Sequence, residues 1–157
     1  MTTSAAWPVT VFNGTSTKYQ ATFSASAVPA AVTYDPAAQT QDQQGVDVTV
    51  TNTSTTTWSA GQVDLRARWL APSGSDAASA VVEGPTVALG SDLAPGQART
   101  LRALVPPPAL ADGVSRADYR LRFDLHDSVG NAFFTEKGNP PLDTAPALTR
   151  SWPYGDG

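Results

Sequence analysis

The sequence contains no cysteine, a single histidine (His126) and only two lysines, Lys18 and Lys137. Without cysteine there is no disulfide framework, no thiol nucleophile and no zinc–thiolate centre. One histidine leaves no second imidazole for a paired metal site. No Ser/Asp set is tied to it by the spacing a catalytic base would need. The plainer reading of His126 is a surface residue at a strand end. Charge is also scarce, at 15% of residues, and the net formal charge is -4. That sign argues against a nucleic-acid partner, which requires a basic face. No apolar run approaches the roughly 20 residues of a membrane-spanning helix, so no membrane insertion is expected. Residues 1–6 lack the charged segment and apolar run of a signal peptide, and the chain reads as a piece of a longer protein. No segment longer than about ten residues keeps a helical period.

What is present favours strands and loops. Thr, Ser and Ala fill the place of the missing charge, and 13 prolines and 12 glycines punctuate the chain. At 157 residues it is long enough for one domain with a real core. The clearest stretch is 46–52, where Val46, Val48 and Val50 point one way and Asp47, Thr49 and Thr51 the other. A period of two marks a half-buried strand. The strand stops at Asn52 in a polar turn, and Trp58 follows as an apolar plug.

The same pattern recurs. Val63, Leu65, Ala67 and Trp69 alternate with Asp64, Arg66 and Arg68, and Leu101, Ala103 and Val105 share a face. Tyr119, Leu121, Phe123 and Leu125 line one side of a strand whose other side carries Arg120, Arg122, Asp124 and His126. Shorter strands are expected at 79–83, 86–89 and 132–135. Residues 9–12 and 19–24 are expected to form a hairpin or two successive edge strands around Asn13-Gly14, a strong turn dipeptide. Residues 28–45 read as a loop with at most one short strand, and Gly96 suits a turn with positive φ. The predicted core is Val48, Val50, Trp58, Leu65, Trp69, Leu101, Tyr119, Leu121 and Phe123.

Strands of this length and spacing predict an all-β fold, an immunoglobulin-like antiparallel β-sandwich of seven to nine strands. The expected division is an N-terminal extension or edge strand over 1–17, the sandwich over 18–140, and a C-terminal extension or linker to a following domain over 141–157.

Residues 46–135 resemble the immunoglobulin-like modules of secreted and cell-surface bacterial proteins, actinobacterial ones especially. The residues that carry the likeness are Val48-Thr49-Val50-Thr51-Asn52 before Trp58, the strand ending at Trp69, Leu93-Ala94-Pro95-Gly96 before Leu101, Tyr119-Arg120-Leu121, and Phe133-Phe134. The pattern is similar to the four-tryptophan domain of autophagy cargo receptors. Trp58 and Trp69 match tryptophan positions, and Phe133 or Phe134 fills a later one. The peptide-binding role of that domain is not carried over, because its binding residues are not matched one by one. The resemblance implies a non-catalytic accessory module: a spacer, docking surface or ligand-binding domain of a larger extracellular or cell-surface protein. Its partners would be neighbouring domains, another protein or a glycan.

Several residue sets bear on a site. If the strands carrying Arg66 and Arg68 and those carrying Arg120 and Arg122 are neighbours, their outward faces form an arginine ladder. It would either hold a carboxylate, a sulfate or an acidic partner, or be a solvated face whose heads meet Asp across strands. Trp7, Trp152 and Tyr154 lie outside the core pattern. They would either stack on a sugar, as in a carbohydrate-binding module, or be buried by the termini or a following domain. Asp92, Asp112, Asp118, Asp127 and Asp143 lack the loop spacing of a calcium motif. No metal, cofactor or catalytic set is expected. A lysine–carboxylate isopeptide bond through Lys18 or Lys137 is the least favoured of these chemistries.

Overall fold

The computed structural model describes residues 18–38, 44–70, 80–110 and 116–150, and they form an all-β sandwich. One sheet has the order β1 (Ala21–Ser26), β3 (Gln44–Asn52), β7 (Ala98–Val105), all antiparallel. The facing sheet is built on β4 (Val63–Leu70) and β9 (Arg120–Asp127). β5 (Ala80–Glu83) and β6 (Val87–Ala88) pair with β4; β10 (Ala132–Phe133) and β11 (Leu142–Thr144) pair with β9. A three-stranded continuation has the order β2 (Ala31–Tyr34), β12 (Ala147–Arg150), β8 (Arg116–Asp118).

Among the described residues the strands of this all-β sandwich come as twelve short segments, against the seven to nine expected, because three long strands are broken. The best alternating strand is interrupted at Tyr119, between β8 and β9. The last strand is split at residues 145–146. The first is broken between β1 and β2, where Ala27 takes a positive φ of 56° and Pro29 cannot donate to a ladder. That break moves the chain from one sheet to the other. β2 then pairs in parallel with β12, so the sandwich is not antiparallel throughout.

β12 lies beyond residue 140 and joins the sheet. It is hydrogen-bonded between β2 and β8, and Leu148 is fully buried. Within the described residues the sheet order therefore runs on to Arg150. The stretch from 141 onward reads as an extension or linker in sequence, yet it carries the two short strands β11 and β12.

The predicted core is buried with one exception. Val48, Val50, Trp58, Leu65, Trp69, Leu101, Leu121 and Phe123 lie inside, whereas Tyr119, at the strand break, is only partly buried. Removing such side chains from water is the main driving force for this packing. The polar turn after β3 is more ordered than its composition implies. Asn52 is itself buried. Its amide donates to the carbonyls of Thr56 and Leu93, and its oxygen accepts from the Ser54 amide and hydroxyl. Those bonds satisfy all of Asn52's side-chain polar atoms. They set Trp58 where its backbone bridges to Leu93 at 2.9 Å in both directions. Gly96 has the positive φ its turn requires, 84°.

Candidate functional site

The arginine ladder is real, but it is not a solvated face. β4 and β9 are neighbours in the expected phase, with Arg66 opposite Asp124 and Arg68 opposite Arg122. Two guanidinium groups facing each other across a ladder repel. The edge strands resolve this in register. Glu83 of β5 stands opposite Arg68, and Asp143 of β11 stands opposite Arg122. The row across the sheet is therefore Glu83, Arg68, Arg122, Asp143, two cations bracketed by two carboxylates. Arg122 binds Asp143 through two nitrogens, at 2.7 and 3.0 Å, the planar fork geometry that favours Arg over Lys. Arg68 Nε lies 3.4 Å from Glu83.

The cover over this row comes from the segment after β9. The chain turns at residues 128–131, with Asn131 at a positive φ of 50°, forms β10, and enters a 3-10 helix (Phe134–Lys137). Phe133 lays its ring 4.0 Å from the Arg68 guanidinium carbon, a cation–π contact. Phe134 turns the opposite way into the core and meets Trp58 and Tyr19 edge-on. Arg68, Arg122 and Asp124 are consequently buried, which corrects the solvated face. Arg66 and Arg120 are half-buried. Arg66 pairs with Asp64 at 2.7 Å. His126 is packed edge-on against Phe133 and reaches Arg66 at 3.5 Å, so it is less open than a simple surface histidine.

Among the described residues Asp124 is the most deeply placed charged group, with no solvent exposure. Burial pushes its pKa up. The Thr135 hydroxyl, the Leu125 and Thr135 amides and the Arg122 charge partly oppose that. Burial also pulls the Arg68 guanidinium down, against the attraction of Glu83 and Asp124.

A second cluster ties the start of the described chain to the β9 turn. Asp127 accepts from Lys18 at 3.0 Å, from the Tyr19 hydroxyl at 2.7 Å, and from the amides of Val129 and Gly130. Burial alone would raise the Asp127 pKa, but the bonds from Tyr19 and Lys18, the Lys18 charge and the Val129 amide outweigh it and hold the group below its ordinary value. The same bond to Asp127, with burial and the carboxylate charge behind it, pushes the Tyr19 phenol up to about 12. Lys18 thus meets a carboxylate, as an isopeptide bond would need. The donors around Asp127 favour the ionised form, which is not an electrophile.

The remaining acidic turns find ordinary uses. Asp92 accepts from the Ala60 amide, and Asp143 holds Arg122. Among the described residues no group of three or more His, Cys, Asp or Glu is placed to hold a metal ion. Trp7, Trp152, Tyr154 and Asp112 lie outside the described residues. So does the side chain of Asp118. Sequence reasoning missed Glu83 and Asp143 as partners of the ladder, because both belong to short edge strands whose register it cannot supply. It also missed the Lys18–Tyr19–Asp127 cluster, which joins residues 108 positions apart.

No family model matches the sequence, and no curated protein matches it. Among solved structures, the fold is similar to that of AvmM, described as catalysing macrocyclization in alchivemycin A biosynthesis. That likeness has a TM-score of 0.48 at 11% identity, over 85% of this chain and 91% of that one. It is also similar to a chain of the CsuC–CsuE chaperone–tip adhesion subunit pre-assembly complex from archaic chaperone-usher Csu pili of Acinetobacter baumannii. Here the TM-score is 0.30 at 18% identity, over 84% of this chain and 57% of that one. At these scores and identities neither protein's activity transfers. No helix among the described residues is long and apolar enough to cross a membrane.

Proposed function

We propose that this chain is a non-catalytic β-sandwich accessory module, a spacer or docking domain of a larger secreted or cell-surface bacterial protein. The observation that supports the reading is where the buried ionisable groups are spent. A general base or nucleophile must be free to take a proton or attack. Asp124, Asp127 and Arg122 instead each hold one piece of chain against another: the 3-10 helix, the start of β1 and β11. The arginine ladder, one of the binding candidates in the sequence, is spent here as a cross-strand lock. Its partners would be neighbouring domains of the parent protein or another protein.

The test sets this module against a carbohydrate-binding one that uses Trp7, Trp152 and Tyr154. The wild type is screened on a glycan array, and Trp7→Ala, Trp152→Ala and Tyr154→Ala are melted alongside it. The accessory reading predicts no retained glycan and, for exposed rings, losses below about 1 kcal/mol. Retention of a sugar by the wild type that any of the three substitutions abolishes would establish the carbohydrate-binding module instead.

A further inference from the structure

β1 is the outer strand of its sheet, and among the described residues nothing pairs with its far edge. The ladder fixes which groups point there. Gln20 offers its carbonyl to the Thr53 amide, on the β3 side, and Thr22, Ser24 and Ser26 follow the same phase. Ala21 points the other way, and its amide is already taken by Asn139 Oδ1 at 3.0 Å. Pro140 and Pro141 line the groove beside it and have no N–H to give. At the other end the chain leaves the edge at Ala27, where φ is 56°. Between these two ends stand Phe23 and Ala25, in phase with Ala21, whose amides and carbonyls face outward. Edge strands are usually guarded by charge, proline or a bulge. β1 has none of these: Ala21–Ser26 contains no charged residue and no proline, and its register with β3 is unbroken from Ala21 to Ser26. The outer face beside the edge is neutral as well. Thr22, Ser24 and Ser26 are exposed and stand opposite Thr51, Thr49 and Asp47, and Arg102 neutralises Asp47 at 3.0 Å. An uncharged, unguarded edge accepts an equally uncharged strand, and β1 is itself such a strand.

We propose that this edge is a homodimer contact, in which the β1 strands of two copies of the chain pair antiparallel about a two-fold axis at Ser24. The two ends of the edge set the register. Phe23 opposite the second copy's Ala25, with the reciprocal pair, uses every outward amide and carbonyl of both residues and asks nothing of Ala21. Centring the axis on Phe23 would require the Ala21 amide that Asn139 holds. Centring it on Ala25 would set Phe23 opposite Ala27, which is off the strand. A shift of one residue would oppose Phe23 to groups that point back to β3. In the remaining register Ser24 faces its own copy as a non-hydrogen-bonded pair, with Cα atoms about 4.5 Å apart. Phe23 and Ala25 keep their packing on the core, and the hydroxyl-bearing outer face of one sheet runs on into the other. Each copy carries a net formal charge of -4, but none of it is left uncompensated on the face of β1 and β3 that meets the second copy.

The absence of cysteine makes the test clean. In the full chain, Ser24→Cys places two thiols across the axis within disulfide reach. Thr55→Cys, at an exposed position on the turn after β3, is the control. The first variant should oxidise to a disulfide-linked dimer at least tenfold faster than the second. Sedimentation equilibrium of the wild type should show a concentration-dependent dimer by about 1 mM, where an interface at the small end of specific ones is still visible. Ser24→Lys sets like charges face to face on the axis and should be monomeric at the same concentration. Its melting temperature at low concentration should match the wild type's, because Ser24 is exposed and its backbone pairing with β3 is kept. A Ser24→Cys variant that crosslinks no faster than Thr55→Cys, or a dimer that survives Ser24→Lys, would overturn the proposal. So would a wild type that stays monomeric throughout, which would leave the edge to another part of the chain or to a different protein.

Discussion

Trp58 and Trp69 are both fully buried, but they are held differently. The Trp58 indole donates to the Lys18 carbonyl at 2.9 Å and packs edge-on against Phe134. The Trp69 indole N–H has no acceptor among the described residues; its ring meets Tyr119 edge-on. Replacing either by Ala should cost about 3–5 kcal/mol, the range for a buried aromatic. Replacement by Phe separates them. Trp58→Phe leaves a backbone carbonyl without its donor and should cost about 1–2 kcal/mol more than Trp69→Phe, which removes a buried donor that bonds to nothing described. Denaturant titration of the two variants checks the order; equal costs, or a costlier Trp69→Phe, would contradict it.

At the scale of elements, the alternating strands were readable because one residue type per phase suffices to place a face: β3, β4, β7 and β9 follow their apolar pattern closely. Strand breaks were less so. Tyr119 continues the apolar phase of β9 in sequence, and nothing local announces the interruption there. The 132–135 stretch reads as a strand by composition, yet only its first two residues pair. The rest is a 3-10 turn that sends Phe133 to the charged face and Phe134 to the core. What docks that turn is Thr135, which donates both its amide and its hydroxyl to Asp124. Thr135→Val removes the hydroxyl bond to a buried carboxylate and should cost about 1.5–3 kcal/mol at neutral pH. The sign of its pH dependence follows from Asp124. A carboxyl raised in the folded state opposes folding above its folded pKa, and that penalty fades as pH falls toward its unfolded value. The hydroxyl supports the charged form, so the deficit of Thr135→Val should shrink on acidification. Paired melting curves from pH 8 to pH 4 would show it; a deficit that grows in acid would mean that the bond supports the neutral acid instead.

At the scale of the whole molecule, the sequence made the sandwich, its core and the adjacency of the two arginine-bearing strands legible. It left open what those arginines do, since that depends on Glu83 and Asp143 arriving from edge strands by register alone. On the proposed reading the charged row holds the sandwich together rather than serving as a binding surface. Arg122 and Asp143 test it most directly, because their fork joins β9 to the edge strand β11. A double-mutant cycle with Arg122→Met, Asp143→Asn and the double variant, read by denaturant unfolding, measures the pair's own coupling. Asp143 is partly exposed, which tempers the energy expected of it. A stabilising coupling of about 1–3 kcal/mol is expected, with Arg122→Met alone the costlier change because it strands a partner of a buried network. A coupling near zero, with both single variants as stable as the wild type, would contradict it and return these arginines to the role of a ligand site.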